Sequence, residues 1–166
     1  QLSGVDNYKR GILCIKNIFK LCKIAKSPVT RVFNYRTENM NSTIKAGYDV
    51  NREKLRNLLL NRKCLVIYDP SHYPGVVFKY FFNIHNDKDG LCKCSTPCKN
   101  RKANGYQLNE CRSITITSFR SGITIITGAR NIEQLLEAYN YMTRLYSNCK
   151  KDIELIKIKL VPTDDL

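Results

Sequence analysis

Histidine is nearly missing from this chain of 166 residues, which holds only His72 and His85. Neither an HExxH helix nor a Ser/His/Asp arrangement can be traced through two imidazoles, and no glycine-rich phosphate loop follows a strand pattern. The motifs therefore offer enzyme chemistry no foothold. His72, in a turn between Ser71 and Tyr73, reads as a rim or solvent-facing residue. Long apolar runs are missing too, so no segment reaches the ~20 residues that span a bilayer, and the opening QLSGVDNYKR lacks the apolar stretch of a signal peptide. Intracellular, reducing conditions are the expectation, which makes the eight cysteines thiols or metal ligands rather than disulfides. Acidic residues are scarce as well: 14 Asp and Glu stand against 28 Lys and Arg, a formal charge of +14. A chain so basic associates with polyanions, and phosphate neutralisation dominates its nonspecific affinity. Codon bias in an AT-rich genome toward Lys, Asn, Ile and Tyr is the competing explanation for part of that charge.

What is present begins with a hairpin. Ser121-Gly122 is a turn signal between two short runs rich in β-branched residues. Period-2 alternation sends Ile114 and Ile116 to one face and Thr115, Thr117 and Phe119 to the other. A packing phenylalanine belongs with the isoleucines; Phe119 on the threonine face is instead placed as an exposed wedge. Around this hairpin, Gly11 to Ile24 carries apolar residues at helical spacing. Asn51 can cap a short helix through Leu60. Strands are expected over Cys64 to Asp69, Val76 to Phe82, Ser113 to Phe119 and Gly122 to Thr127. Asn131 with Gln134 three residues on has the form of a capping box for a long helix, with Ile132, Leu135, Leu136, Tyr139 and Met142 as its core stripe. The tail Asp152 to Pro162 reads as an extra strand.

The segment between Phe82 and Arg112 is polar and cannot build a core, yet it gathers Cys92, Cys94, Cys98 and Cys111. Four thiolates around a structural zinc ion would supply the missing folding energy. The spacing C-x-C-x₃-C-x₁₂-C matches no common zinc module, so a basic loop with incidental cysteines stays open beside it, and His85 is a possible substitute ligand. Cys14, Cys22, Cys64 and Cys149 fall in helix or strand patterns and read as small apolar fillers.

Three segments together resemble the second repeat of the TATA-box-binding protein family: VFNYRTENMNSTIKA (Val32 to Ala46), YDPSHYPGVVFKYFF (Tyr68 to Phe82) and SFRSGITIITGAR (Ser118 to Arg130). The family reads roughly YEP-x-x-FPG-x-x-Y-[RK] and then F-x-SG-x-x-x-x-TG-[AG]-[RK]. The resemblance implies an α+β saddle lobe, a curved antiparallel sheet with helices on its convex face. It places Phe119 and Tyr73, the latter before Pro74 where the family has Phe, as rings that insert between base steps. Asn39 falls at a base-contacting asparagine, whose amide NH₂ can bridge the acceptors of A·T pairs in the minor groove. Ile125 and Thr127 fall at positions approaching the base edges, and Lys79 and Arg130 at basic positions suited to phosphate. Asn41 stands where the family has Val, and Thr117 where it has an apolar residue, so this face is more polar than the family pattern. The Cys-rich stretch 83–112 is an insertion that the family lacks.

On this resemblance residues 1–27 are the end of a first repeat, with Gln1 to Val5 the tail of its last strand. Residues 28–148 are a complete second repeat, and 149–166 a tail. The implied function is a transcription initiation factor that binds and bends AT-rich double-stranded promoter DNA through its minor groove. It would recruit a transcription factor IIB-like protein and an RNA polymerase. The divergent contact positions suggest a viral version, acting in the nucleus, at a cytoplasmic replication site or in the virion. The alternative is a fold of this type that has lost DNA binding and serves as a protein–protein adaptor, which the polar Asn41 and Thr117 would favour. Gln rather than Met at position 1 raises the expectation of a first repeat upstream, and an unpaired sheet edge that of self-association.

Overall fold

The computed structural model describes residues 2–29, 31, 36–96, 98 and 103–156. Residues 1–36 and 37–166 form two compact units. In the first, α1 (Tyr8–Ile24) starts three residues before the expected helix because Asn7, in extended backbone, accepts the N–H of Arg10 at 3.0 Å. Leu2 to Asp6 form no strand, so the anticipated strand tail is absent there. Leu13, Ile18, Leu21 and Ile24 are exposed, and so is Cys14, which is therefore no core filler.

The second unit runs β1 (Met40–Lys45), α2 (Arg52–Asn61), β2 (Leu65–Ile67), β3 (Val76–Phe82), β4 (Arg112–Ser118), β5 (Ile123–Ala129), α3 (Ile132–Asn148) and α4 (Lys150–Ile153). That is the anticipated order of strand, helix, four strands, helix. The strands make one sheet in the order β1-β5-β4-β3-β2, every neighbouring pair antiparallel. Of the expected first strand, 32–35 lie outside the described residues, and pairing begins only at Met40, after Asn39. The β4–β5 reversal needs its glycine. Gly122 sits at φ +76, and a Cβ there would meet the Tyr48 carbonyl oxygen at 2.3 Å.

Alternation gives the sheet two unlike faces, strict along β3 and β4 and interrupted in β1 by a register shift between Met40 and Ser42. Val76, Phe78, Tyr80 and Phe82 of β3 are buried, and so are Ile114 and Ile116 of β4 and Ile126 of β5. α3 packs across β1, β5 and β3 on that face, while α2 covers β2 and β3. Each such side chain taken fully from water contributes about 1.5–3 kcal/mol. The buried stripe of α3 is Gln134, Ala138, Tyr141, Met142, Leu145 and Tyr146. This corrects the expected stripe. Ile132, Leu136 and Tyr139 are exposed and Leu135 only packs against the core margin, so of that set Met142 alone is fully buried. The helix turned this way because it docks through two large tyrosines, an option that a tally of aliphatic residues undervalues. At the start of the expected tail strand the described residues instead form α4, a helical turn at Lys150–Ile153, followed by a single bridge between Glu154 and Val50. Residues 157–162 lie outside the described residues.

Tyr146 ties α3 to the hairpin. Its hydroxyl lies 2.6 Å from Ser118 Oγ and also bonds Thr124 Oγ1, both of them fully buried, and its carbonyl accepts the Tyr48 hydroxyl at 2.9 Å. Burial raises the Tyr146 pKa, against those two hydroxyl contacts which lower it. Tyr146→Phe should lower unfolding stability by about 1–3 kcal/mol, because two buried hydroxyls lose a partner that no water can replace. Urea denaturation with unchanged slope would show it; a loss under half that size would mean the network relaxes freely.

Candidate nucleic-acid interface and metal centre

The face of the sheet opposite α3 carries its own ordered rows. Cross-strand register aligns Ile67, Val77, Thr117, Ile125 and Thr43 in one row, and Leu65, Lys79, Thr115 and Thr127 in the next. Directly opposed residues of antiparallel strands share a face, and Leu65, Ile67, Ile123 and Ile125 are exposed there. The surface is therefore a lattice of methyls and hydroxyls with Lys79 near its middle and Lys45 at its edge strand. No carboxylate lies in either row. Lys79 Nζ donates to Thr115 Oγ1 at 2.6 Å, which holds the cation down on the sheet.

At one end of these rows stand the two expected wedge residues, brought together by the fold. The Tyr73 and Phe119 rings meet edge to face, with centroids 6.0 Å apart and planes at 63°. Tyr73 is 47% exposed and Phe119 half-buried. The packing residue that makes the pair possible is Gly75. A Cβ there would lie 2.6 Å from Thr117 Cγ2, 2.9 Å from Tyr73 Cε1 and 3.1 Å from Phe119 Cε1. Pro74 is exposed beside it, and its carbonyl accepts from Arg52 Nη1 at 2.6 Å, which pins the turn to α2. Ahead of the pair, Asp69 accepts from Ser71 Oγ at 2.5 Å and lies 2.7 Å from His72 Nδ1. Those two bonds lower the Asp69 pKa. Ser71 Oγ also lies 3.2 Å from His72 Nδ1, and the Asp69 carboxylate takes the Ser71 N–H at 3.1 Å, so the three side chains close a local turn.

The remaining expected contact residues divide. Thr117, Ile125 and Thr127 lie in the rows just described, and Asn41 is exposed on β1. Asn39 accepts the Gly128 N–H through Oδ1 at 2.6 Å, which fixes the side chain and points its NH₂ as the donor group. Arg130 is differently employed. Its Nη1 donates to Asn104 at 2.7 Å and its Nη2 lies 3.8 Å from Glu38, so the guanidinium is engaged within the protein. Leu65, Ile67, Thr43, Val77, Ile123 and Gly75 were not singled out from sequence, whereas Thr115 was placed on this face by alternation. Alternation through β3 carried the signal for Val77; for the others the cross-strand register was needed.

The insertion is built into the fold. Asn83, buried, donates through Nδ2 to the carbonyls of Gln107 and Glu110, both at 2.9 Å. Gln134, fully buried, gives Nε2 to the Asn104 carbonyl at 2.8 Å and takes the Arg130 N–H at 2.8 Å. The anticipated capping box is therefore half made. Asn131 caps the Gln134 N–H at 3.0 Å, but the return bond lands one residue early, on Arg130.

Cys92, Cys94, Cys98 and Cys111 converge with all four Sγ atoms within 4.8 Å of one another, and they could hold a metal ion. Sγ separations are 3.4 Å for Cys94–Cys111, 3.3 Å for Cys94–Cys98 and 3.9 Å for Cys92–Cys111. A tetrahedral ion with bonds of about 2.3 Å sets its sulfurs about 3.8 Å apart. The Cys111 N–H donates to Cys98 Sγ at 3.3 Å, as a thiolate would accept. Desolvation opposes ionisation at Cys92, yet the backbone N–H groups of Cys94 and Cys98 outweigh it and lower that thiol to about 7. Burial first, then the neighbouring sulfurs, push Cys94 up to about 11 and Cys111 higher still. Four crowded sulfurs cannot all ionise without a cation among them.

A solved structure of Methanococcus jannaschii TBP is similar, with a TM-score of 0.56 and 19% identity over 87% of this chain. This chain spans 64% of the length of that archaeal protein. No protein-family model matches the chain, and a search of the curated proteins finds no match. The fold is thus TBP-like, an α+β arrangement of an open five-stranded antiparallel sheet and helices.

Gly75→Ala should drive the two rings and Thr117 apart and cost about 1–3 kcal/mol, the range for overpacking a filled site. A changed near-ultraviolet tyrosine signal with retained far-ultraviolet signal is the expected result; identical near-ultraviolet spectra would mean that the rings never met.

Proposed function

We propose that the chain is a non-enzymatic DNA-binding component of transcription initiation that receives AT-rich duplex in the minor groove on its open sheet face. The observation that carries this reading is the Tyr73–Phe119 pair, two aromatic rings left partly in solvent at the end of a carboxylate-free lattice of threonines, isoleucines and valine. Such a surface suits a shallow groove floored by apolar sugar edges and acceptor atoms, and rings so placed can unstack a step at a cost of roughly a few kcal/mol that the wider contact with bent DNA offsets. Asn39 supplies amide hydrogens to A·T acceptors, and Lys45 and Lys79 supply positive charge. Recruitment of a transcription factor IIB-like protein and an RNA polymerase, within the cell, completes the proposal. It follows from the resemblance alone.

Fluorescence anisotropy against AT-rich and GC-rich duplexes at two salt concentrations tests it. Preference for the AT-rich duplex at both salts is expected. Asn39→Ala should shrink that preference while the salt slope stays, since phosphate contacts survive. Equal binding to both duplexes would remove base reading, and no binding would leave the protein–protein adaptor. Phe119→Ala is expected to lower affinity for AT-rich duplex by about tenfold or more and to abolish bending read by energy transfer between end labels, with the fold intact. Undiminished bending would show that the ring is not a wedge.

For the four-cysteine cluster we propose zinc, in a closed structural site. Metal analysis of protein purified without chelator should find about one zinc per chain, and stripping it should lower the unfolding temperature by several degrees. Metal binding requires thiolates, so apparent affinity should fall steadily as pH is lowered, with protons competing first at Cys94 and Cys111, whose thiols burial pushes up. A metal-free protein with four freely titrating thiols would rule the site out.

A further inference from the structure

The helix-covered side of the sheet carries a concavity of about 420 Å³ whose chemistry the open face does not share. Arg62, at the end of α2, Lys88, in the insertion, and Arg144, on α3, surround it. Leu91, Tyr141 and Leu145 supply its apolar surface. One carboxylate also lines it, but Asp89 is committed to the Leu91 N–H at 2.9 Å and to Lys93 Nζ at 2.9 Å. Among the described residues, no carboxylate forms an ion pair with Arg62, Lys88 or Arg144. Arg62 is held in place by a bond from Nη2 to Cys149 Sγ at 3.2 Å.

We propose that this concavity docks an acidic peptide segment of a protein partner, with an apolar side chain entering between Leu91, Leu145 and Tyr141 and flanking carboxylates meeting the three cations. Charge complementarity selects an anion, and the apolar floor selects a peptide over a nucleic acid, because a phosphate backbone has no apolar group to place there. The site lies on the side of the sheet opposite Phe119 and Ile125, so duplex on the open face leaves it accessible. It also depends on the insertion, since Leu91 immediately precedes Cys92 and Lys88 lies four residues before it. The cysteine cluster thereby fixes one wall of the site. This inference stands apart from the DNA reading and survives its failure.

The test uses the whole chain and three fluorescein-labelled probes: a peptide alternating Asp and Leu, an all-Asp peptide of equal length, and a GC-rich duplex. The Asp-Leu peptide should bind best, and Arg144→Glu and Lys88→Glu should each weaken it about tenfold. Both positions lie at the rim, so folding is checked simply by an unchanged melting curve. Lys54→Glu, on the exposed side of α2, should leave binding unchanged. Equal affinity for the all-Asp peptide, competition by the GC-rich duplex at equal concentration, or indifference to Arg144→Glu would each overturn the proposal.

Discussion

One constraint governs the molecule: β3 and β4 alternate strictly along their whole length, and α2 and α3 cover only one of the resulting sheet faces. Phe78, Tyr80, Ile114, Ile116 and Ile126 must go under α3, which sends Val77, Lys79, Thr115, Thr117, Ile125 and Thr127 to the other side. A slip of one residue in any strand would exchange the two sets. Tyr146 guards against such a slip, because its hydroxyl must meet Ser118 and Thr124 from adjoining strands at once. The open face is thus the remainder left by packing, and its chemistry is not fixed by the core. Thr117 shows that freedom: a polar residue stands on the open face between the buried Ile116 and Ser118 without disturbing them.

The insertion shows a second solution to a missing core. Between β3 and β4 the chain has almost nothing apolar to bury, and it is held instead by polar side chains that are themselves buried, Asn83 at its start and Gln134 from α3. Arg130 joins this scaffold through Asn104, to which its Nη1 donates at 2.7 Å. Glycines add local clearance: Gly90, at φ +77, lies against the Tyr80 ring, where a Cβ would approach to 2.5 Å. The four sulfurs gather at the end of this frame.

Much of this was legible in the sequence, for reasons that differ by element. Period-2 alternation put Phe119 on the threonine face, because strand patterning is local, and the expected strand over Val76 to Phe82 coincides with β3. Asn51 and Asn131 announced their helices through side chains that bond the backbone three residues on. What the sequence could not reveal needed partners from elsewhere in the chain. Which stripe of α3 is buried depended on pockets for Tyr141 and Tyr146. The tail became a helical turn because Cys149 to Glu154 curl back, with the Leu155 N–H reaching the Asp49 carbonyl at 2.7 Å. Gly75 stands in the Pro-Gly pair that drew notice at once, yet its role as the clearance between two rings and Thr117 appears only when the strands are assembled.

Assignment of the open face to duplex DNA is tested most directly by isoleucine methyl resonances, since exposed isoleucines mark both surfaces. Ile67, Ile123 and Ile125 stand on the open face, whereas Ile84 and Ile132 are exposed on the insertion and at the start of α3. Titration with an AT-rich duplex should shift and broaden the Ile67, Ile123 and Ile125 methyls and leave Ile84 and Ile132 in place. Perturbation centred on Ile84 and Ile132, with the three open-face methyls unmoved, would put the nucleic acid elsewhere and contradict the account.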